Sequence, residues 1–400
     1  MSSEPVRIAI IATVPETLSC FLAQQIPFLS GHGFEVHTIT SPAAGHSTPT
    51  ETYSIRHSVR MRRTISPLND LLAVWRLWRL CRRIQPHIVR TYTPKAGLLG
   101  MMAASLACVP NRIYTVNGLP FLTQPLWGRV VLGMADWVTC ALATEVACVS
   151  RSVRRFMVTN GFCRREKATI SADSIDINAF DPHAHESDRA RVRARYRIPE
   201  EALLLGYVGR LVPDKGITEL AAAWKMLRNE FPALRLLLCG YCEDDHPLPP
   251  NVMEELQADP RVRLAGRVSD MPPVYAALDI CVLPTYREGL SHVALECGAM
   301  QVSMVATRVP GCVDAIRHGV TGLLVAPRNP EALAAGLRVL IQSPERRASL
   351  GKAARKFVAA RFSEEKIFGL LLEKYRRLSM YRAAIPGASP SASRSHAPSN

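Results

Sequence analysis

The sequence predicts an α/β protein built from two facing parallel-sheet units with a cleft between them, and three observations carry that prediction. The chain has 400 residues, 48% of them apolar, more than one hydrophobic core usually organises and ample for two. Each half alternates short apolar runs with longer amphipathic ones, the pattern of parallel strands covered by helices. That rhythm breaks at 180–199, where Asp181-Pro-His-Ala-His-Glu leads into an arginine-rich stretch at 189–197.

Taken in order, the first half reads as a strand at 7–12, a helix at 18–29, a strand at 35–39, a basic helix at 68–84, a strand at 87–91, an apolar helix at 95–108 and a strand at 112–116. The second half reads as a strand at 203–208, a helix at 217–229, strands at 234–239 and 262–265, a helix at 272–278, a strand at 280–283, a helix at 291–300 and strands at 304–307 and 322–325. The expected organisation is a first unit over 1–180, a second over 181–362, and a helix over 363–385 that packs back on the first. A tail over 386–400, rich in Ser, Pro and Ala without apolar periodicity, is read as disordered. Ligands of such sheets bind beyond the carboxyl ends of the strands, so the cleft is the expected site.

No apolar run approaches the roughly eighteen residues of a membrane span, and 8–12 is too short for a secretory h-region. A cytoplasmic protein is expected. The eleven cysteines fit that placement, being scattered and mostly in apolar segments (Cys81, Cys108, Cys140, Cys148, Cys281) as reduced buried thiols would be. Cys239 and Cys242 form a C-x-x-C without a second pair, and Asp244-Asp245 sits in the same loop. A turn at a strand end explains both better than a redox or metal site.

Two loops carry chemistry. Glu288 and Glu296 bracket Glu-Gly-Leu-Ser-His-Val-Ala-Leu-Glu directly after the strand at 280–283. This places one carboxylate on a loop and another on the second turn of the following helix. The backbone N–H groups of Gly289, Leu290 and Ser291 lie between them, where a helix start can hold a phosphate. Gly206-Tyr-Val-Gly-Arg-Leu-Val-Pro-Asp-Lys-Gly-Ile follows the strand at 203–208 and sets Gly209, Arg210 and Lys215 at a tight turn. It is neither a Walker loop nor a G-x-G-x-x-G. Each loop alone reads as solvated surface; together they make a diphosphate-sugar site, with two cations in place of a metal.

These loops, together with Val305-Ala-Thr-Arg-Val-Pro-Gly-Cys-Val-Asp-Ala-Ile-Arg-His-Gly-Val-Thr-Gly-Leu-Leu-Val, resemble the retaining glycosyltransferases of family four, which have the GT-B fold of two Rossmann-like domains. Arg63-Thr-Ile-Ser-Pro-Leu-Asn-Asp-Leu, Thr93-Pro-Lys-Ala-Gly-Leu-Leu-Gly, Tyr114-Thr-Val-Asn-Gly-Leu-Pro-Phe and Thr285-Tyr-Arg-Glu-Gly-Leu are similar to the bacterial branch that builds capsular and lipid-linked oligosaccharides. That branch includes N-acetylgalactosaminyltransferases acting on undecaprenyl-diphosphate-linked bacillosamine. The resemblance implies that Arg210 and Lys215 hold the donor diphosphate, Glu288 meets the sugar hydroxyls, Glu296 binds the ribose, and Gly266, Arg267 and Val268 face the nucleobase. It also implies retention of configuration and no metal or other cofactor. Thr13, Lys95, Asn117 and Gly118 are the candidates on the first-domain side of the cleft. Departures from the family pattern fall there: Thr13-Val-Pro-Glu-Thr-Leu-Ser replaces a Gly-rich loop, Asn117-Gly118 stands where a His is common, and Arg90 or Tyr92 replaces a second His. Gln301 and Ser303 stand where Gly and Pro are customary, and a low-activity paralogue is an open alternative.

The net charge of +15 is concentrated. Residues 51–100 hold Arg56, Arg60, Arg62, Arg63, Arg76, Arg79, Arg82, Arg83, Arg90 and Lys95 against Glu51 and Asp70. On a helical wheel Arg76, Arg79 and Arg83 form a stripe opposite Val74, Leu77, Leu80 and Ile84, with Trp75 and Trp78 flanking it beside Arg82. Trp beside Arg suits an anionic membrane surface; an ordinary solvated helix face is the competing reading. Nucleic acid has no motif in its favour. The expected function is transfer of a hexose or N-acetylhexosamine from a nucleoside-diphosphate sugar, UDP-linked, to a polyprenyl-diphosphate-linked glycan at the inner face of the membrane. The alternatives are a sugar-nucleotide epimerase, or a non-catalytic polyanion-binding protein with a degenerate donor cleft.

Overall fold

A computed structural model describes residues 5–42, 52–62, 64, 66–243 and 246–380. Arg63, Asp244, Asp245 and the tail at 386–400 lie outside the described residues.

The first unit runs β1 (Val6–Ile11), α1 (Glu16–Phe21), α2 (Gln25–Gly31), β2 (Phe34–Thr40), β3 (Ile55–Ser58), α3 (Pro67–Ile84), β4 (Ile88–Thr91), α4 (Pro94–Leu106), β5 (Asn111–Val116), α5 (Leu126–Leu142), β6 (Glu145–Cys148), α6 (Arg151–Thr159) and β7 (Ala168–Ile170). Its strands form one parallel sheet in the order β3-β2-β1-β4-β5-β6-β7. The second unit runs α7 (Asp188–Arg195), β8 (Leu203–Val208), α8 (Ile217–Glu230), β9 (Leu234–Cys239), α9 (Pro250–Ala258), β10 (Val262–Gly266), α10 (Pro272–Ala277), β11 (Ile280–Leu283), α11 (His292–Ala299), β12 (Ser303–Thr307), α12 (Cys312–Ala315), β13 (Leu323–Val325), α13 (Pro330–Ile341) and α14 (Pro344–Phe362). Its parallel sheet has the order β10-β9-β8-β11-β12-β13. The doubly wound α/β class expected from the alternation is the one found.

Strand order reverses between β1 and β4 in one sheet and between β8 and β11 in the other. At such a switch point successive crossovers leave in opposite directions, so the loops at the carboxyl ends part and open a crevice. The loops after β8 and β11 are those that carry Arg210, Lys215 and Glu288.

Several expectations are corrected. The single helix at 18–29 is two helices broken at 22–24, because Pro27 has no N–H to donate and is tolerated only in a first turn. The stretch between 117 and 170 holds α5, β6, α6 and β7, none of which was anticipated; nor were β3, α9, α12, α13 and α14. The arginine-rich stretch is α7, docked beneath the second sheet. There Arg193, 2% exposed, pairs with Asp279 at 2.7 Å and donates to the carbonyls of Glu200 and Ala202, both at 2.8 Å. A buried cation is tolerated when its donors are all met. Cys108 is exposed, unlike Cys81, Cys140, Cys148 and Cys281, because it lies just past the end of α4 in the turn, in the left-handed region at φ +56°.

Helices α3, α4 and α5 cover one face of the first sheet, and α1 and α2 the other. The last helix, α15 (Glu364–Met380), returns to that second face, where Leu371 and Tyr375 are buried against Ile8, Ile10 and Phe34. Arg90, fully enclosed on β4, fastens it by donating to the Tyr375 hydroxyl at 3.1 Å and to Thr115 and Ser171.

Candidate active site

The loop after β8 must turn at once, and two glycines allow it. Gly209 has φ +144° and Gly216 φ +71°, and a Cβ on Gly216 would lie 2.1 Å from the Pro284 carbonyl oxygen. The loops after β8 and β11 therefore touch backbone to backbone. Between these glycines Lys215 reaches Glu288, Nζ to Oε1 at 2.6 Å, with side chains 18% and 16% exposed. Arg210, beside them, pairs with Glu243 at 2.6 Å.

On α11 the Glu296 carboxylate accepts a hydrogen bond from the Tyr275 hydroxyl at 2.6 Å. Burial raises its pKa, while Tyr275 and the neighbouring His292 pull it the other way. Ser291 caps the helix, its hydroxyl accepting from the Ala294 N–H at 3.2 Å, and Leu290 is buried. At Gly289 the backbones of the two units meet: a Cβ there would lie 1.8 Å from the carbonyl oxygen of Asn117 and 3.1 Å from the Gly118 nitrogen. The Asn117 Oδ1 is buried with no hydrogen-bond partner.

Two further contacts close the seam between the units. Asp314 crosses to the start of α6 and accepts from the Arg151 N–H at 3.0 Å and from the Ser152 N–H and hydroxyl, a helix N-terminus stabilised by a carboxylate from the other unit. His292 crosses to Asp173, Nε2 to Oδ2 at 3.0 Å, with the edge of Phe21 against its ring. Burial opposes the imidazolium, yet Asp173, aided by Glu296 and Glu288, holds its pKa up at about 8.

Of the residues read from sequence, Gly209, Arg210, Lys215, Glu288, Gly289, Leu290, Ser291 and Glu296 share the β8–β11 crevice, and Asn117 and Gly118 meet it from the other side. Gly266 ends β10 at φ +66°, and Arg267 lies over the Tyr241 ring at 5.6 Å with Val268 partly buried, on the far rim of the same sheet edge. Thr13 and Lys95 are engaged within the first unit. The Thr13 hydroxyl lies 2.6 Å from that of Thr93, and the Lys95 ammonium binds Asp70 at 2.5 Å and the Thr64 carbonyl. These are contacts within the first unit, with Lys95 held by Asp70 on α3. Tyr275, His292, Asp173 and Asp314 were missed. The His between the paired glutamates was the one local signal that could have found them.

On α3, Trp75, Arg76, Arg79, Arg82 and Arg83 are exposed, with Arg79 stacked over Trp75 at 4.7 Å, whereas Trp78 turns inward against the core.

Two family models match the chain: Glycosyltransferase Family 4 over 21–178 and Glycosyl transferases group 1 over 188–357. The chain is 30% identical to the capsular polysaccharide biosynthesis glycosyltransferase CapM of Staphylococcus aureus over 88% of its own length and 92% of the relative's. It is 24% identical, over 66% and 68% of the two chains, to the UDP-Gal:alpha-D-GlcNAc-diphosphoundecaprenol alpha-1,3-galactosyltransferase of Escherichia coli. Among solved structures, HepE of Anabaena in complex with UDP and glucose superposes with a TM-score of 0.78, covering 92% of this chain and 99% of that one at 19% identity, a likeness of fold. The two motif loops at one switch point, the paired sheets and these matches lead to one conclusion: the chain belongs to the group 1 glycosyltransferases and has their GT-B fold.

Proposed function

We propose that the cleft transfers a hexose or N-acetylhexosamine from a UDP-sugar to a polyprenyl-diphosphate-linked glycan, with retention of configuration, at the inner face of the membrane during surface polysaccharide synthesis. The observation that carries this reading is the Lys215–Glu288 pair, with Arg210 beside it at the switch point of the second sheet. In the free protein the carboxylates occupy both cations. A donor diphosphate would take Lys215 and Arg210 for itself and release Glu288, whose oxygens could then accept from sugar hydroxyls. Glu296, on the second turn of α11 and largely shielded from solvent, suits the ribose hydroxyls.

In the reaction the bond between the anomeric carbon and the β-phosphate oxygen breaks, and its electron pair leaves with the nucleoside diphosphate. The acceptor oxygen bonds to the same face of the sugar, and its proton passes to the departing phosphate. Charge grows on the diphosphate as it leaves, and preorganised cations are what such a transition state requires. Arg210 and Lys215 supply that charge, so the proposal includes no metal. The relatives support the acceptor class: the S. aureus protein is named for capsular polysaccharide and the E. coli protein for a diphosphoundecaprenol-linked sugar.

The test is incubation of the pure enzyme with a panel of UDP-, GDP- and ADP-sugars and polyprenyl-diphosphate-linked sugars, followed by NMR of the new anomeric proton. Transfer from a UDP-sugar with an unchanged anomer is expected. Donor conversion without an acceptor would instead mark an epimerase.

A further inference from the structure

Helix α5 is built inside out. A helix that covers a sheet normally turns its apolar stripe inward and its polar face to water. Here the fully buried residues are Gly128, Asp136, Thr139 and Cys140, with Asp136 accepting from the Tyr114 hydroxyl at 2.7 Å, and only Leu132 and Leu142 add partly buried apolar contact with the core. The outward face carries Leu126, Trp127, Val130, Val131, Met134 and Trp137, each between 42% and 77% exposed. At 100° per residue these six fall on one continuous arc, and the helix's exposed cation, Arg129, lies to its side. A contiguous apolar ridge of this size marks a surface that something covers.

The neighbouring surface says what covers it. Helices α3, α4 and α5 lie in one layer, each of the outer two packed on α4. The first turns of α3 expose Leu68, Leu71, Leu72 and Trp75, between 49% and 79%, and its later turns expose Arg76, Arg79, Arg82 and Arg83. Because α3 and α5 each follow a strand of one parallel sheet, both begin at its carboxyl edge, the edge that bears Asn117 and faces the cleft. The apolar starts of α3 and α5 therefore flank the mouth of the cleft, with the α3 arginines and the later ridge residues Met134 and Trp137 set back from it.

We propose that the outward faces of α5 and of the first turns of α3 insert together into the headgroup and upper acyl zone of an anionic phospholipid bilayer, with the α3 arginines meeting the headgroup phosphates. Trp at a ridge beside Arg is the composition that such an interface favours. No described helix is long and apolar enough to cross a membrane, so α5 lies in the plane of the surface. A second copy of the chain is a poorer occupant, because pairing this layer with itself brings two arginine clusters together, whereas anionic lipid neutralises one. Insertion at the cleft mouth brings a membrane-embedded acceptor to the donor site without extracting it from the bilayer. In this respect the inference rests on the lipid-linked reading of the acceptor.

The test is flotation of the full chain with phosphatidylcholine vesicles, with and without phosphatidylglycerol, at low and high salt, comparing wild type with the triple variant Trp127→Ser, Met134→Ser, Trp137→Ser. These side chains are exposed, so the variant should keep the wild-type unfolding temperature and UDP binding. Wild type should float with anionic vesicles, retain part of its binding at high salt, and show blue-shifted tryptophan emission. The variant should lose the salt-resistant fraction by roughly tenfold or more. Wild type that ignores vesicles, a variant that binds like wild type, or a wild-type dimer in solution that the variant abolishes would each overturn the proposal. Transfer assays separate this from the function itself. α5-dependent insertion with transfer confined to lipid-free acceptors leaves the insertion standing and removes the lipid-linked acceptor. Efficient transfer to lipid-linked acceptors without α5-dependent binding does the reverse.

Discussion

The Nζ of Lys215 lies 2.6 Å from Oε1 of Glu288, joining residues 73 positions apart at the ends of two adjacent strands. On the proposed reading, the pair sets the cation for the diphosphate and the carboxylate for the sugar in register before any ligand arrives. If the cation stabilises the leaving diphosphate, Lys215→Ala and Arg210→Ala should each lower transfer by about a hundredfold, the usual loss when one preorganised group is removed. Both side chains are partly exposed, so soluble, folded variants are expected. Near-native rates in either would refute the assignment.

The two glutamates should separate by ligand. Glu296→Ala should weaken binding of free UDP and of UDP-sugar alike, while Glu288→Ala should leave UDP affinity close to wild type and lower turnover. Calorimetric titration with UDP checks this, and equal affinity in wild type and both variants would remove the division of roles. Activity abolished by EDTA and restored by Mg²⁺ would contradict the cation-only mechanism.

Gly289→Ala should uncouple the units. The added Cβ meets the Asn117 carbonyl at 1.8 Å, and relief requires the backbone of one unit to move away from the other. A displacement of that order near the reacting atoms can cost about a hundredfold in rate. The unfolding temperature should change little, because the clash lies between the units and outside either core; a large drop accompanied by normal turnover would contradict this.

The His292–Asp173 bridge makes stability depend on pH with a defined sign. With the folded pKa raised from 6.5 to about 8, the contribution is fully present below 6.5 and is lost as pH rises through about 8. The shift corresponds to about 2 kcal/mol. Asp173→Asn should lower the unfolding temperature on the acidic side of that window and leave it nearly unchanged on the alkaline side. Equal destabilisation at both ends would show that the bridge is not the origin.

The arginine stripe should govern capture of the protein at an anionic surface. Changing Arg76, Arg79 and Arg83 together to Gln removes about 1 kcal/mol of attraction each. Flotation at low salt should then fall steeply, with UDP binding retained. A polyanion-binding protein would instead lose heparin or DNA affinity with a steep salt slope and show no change with vesicles.

Much of this protein is legible locally. Buried parallel strands are short unbroken apolar runs, so 203–208, 234–239 and 280–283 were read with the bounds the structure has. The turn at Gly209 and the two glutamates follow directly from their strands, and the 3.6-residue period of α3 separated Val74, Leu77 and Ile84 from the arginines. The segment after 116 was not legible. Most large apolar residues of α5 face outward and its fully buried positions are small or polar, which defeats a periodicity argument, while β6 and β7 are only 4 and 3 residues long.

The sequence by itself determined the alternation of elements, the family and the loops that bear charge, because each of these is written in the order of neighbouring residues. Tertiary structure alone decided which loops meet. Lys215 faces Glu288, Gly289 faces Asn117, Lys95 pairs with Asp70, and His292 finds Asp173 from 119 positions away. Such pairs depend on the path of the chain and on which crossovers leave a switch point in which direction. Hydrophobic period reports only whether a residue is buried, and carries no record of what lies on the other side.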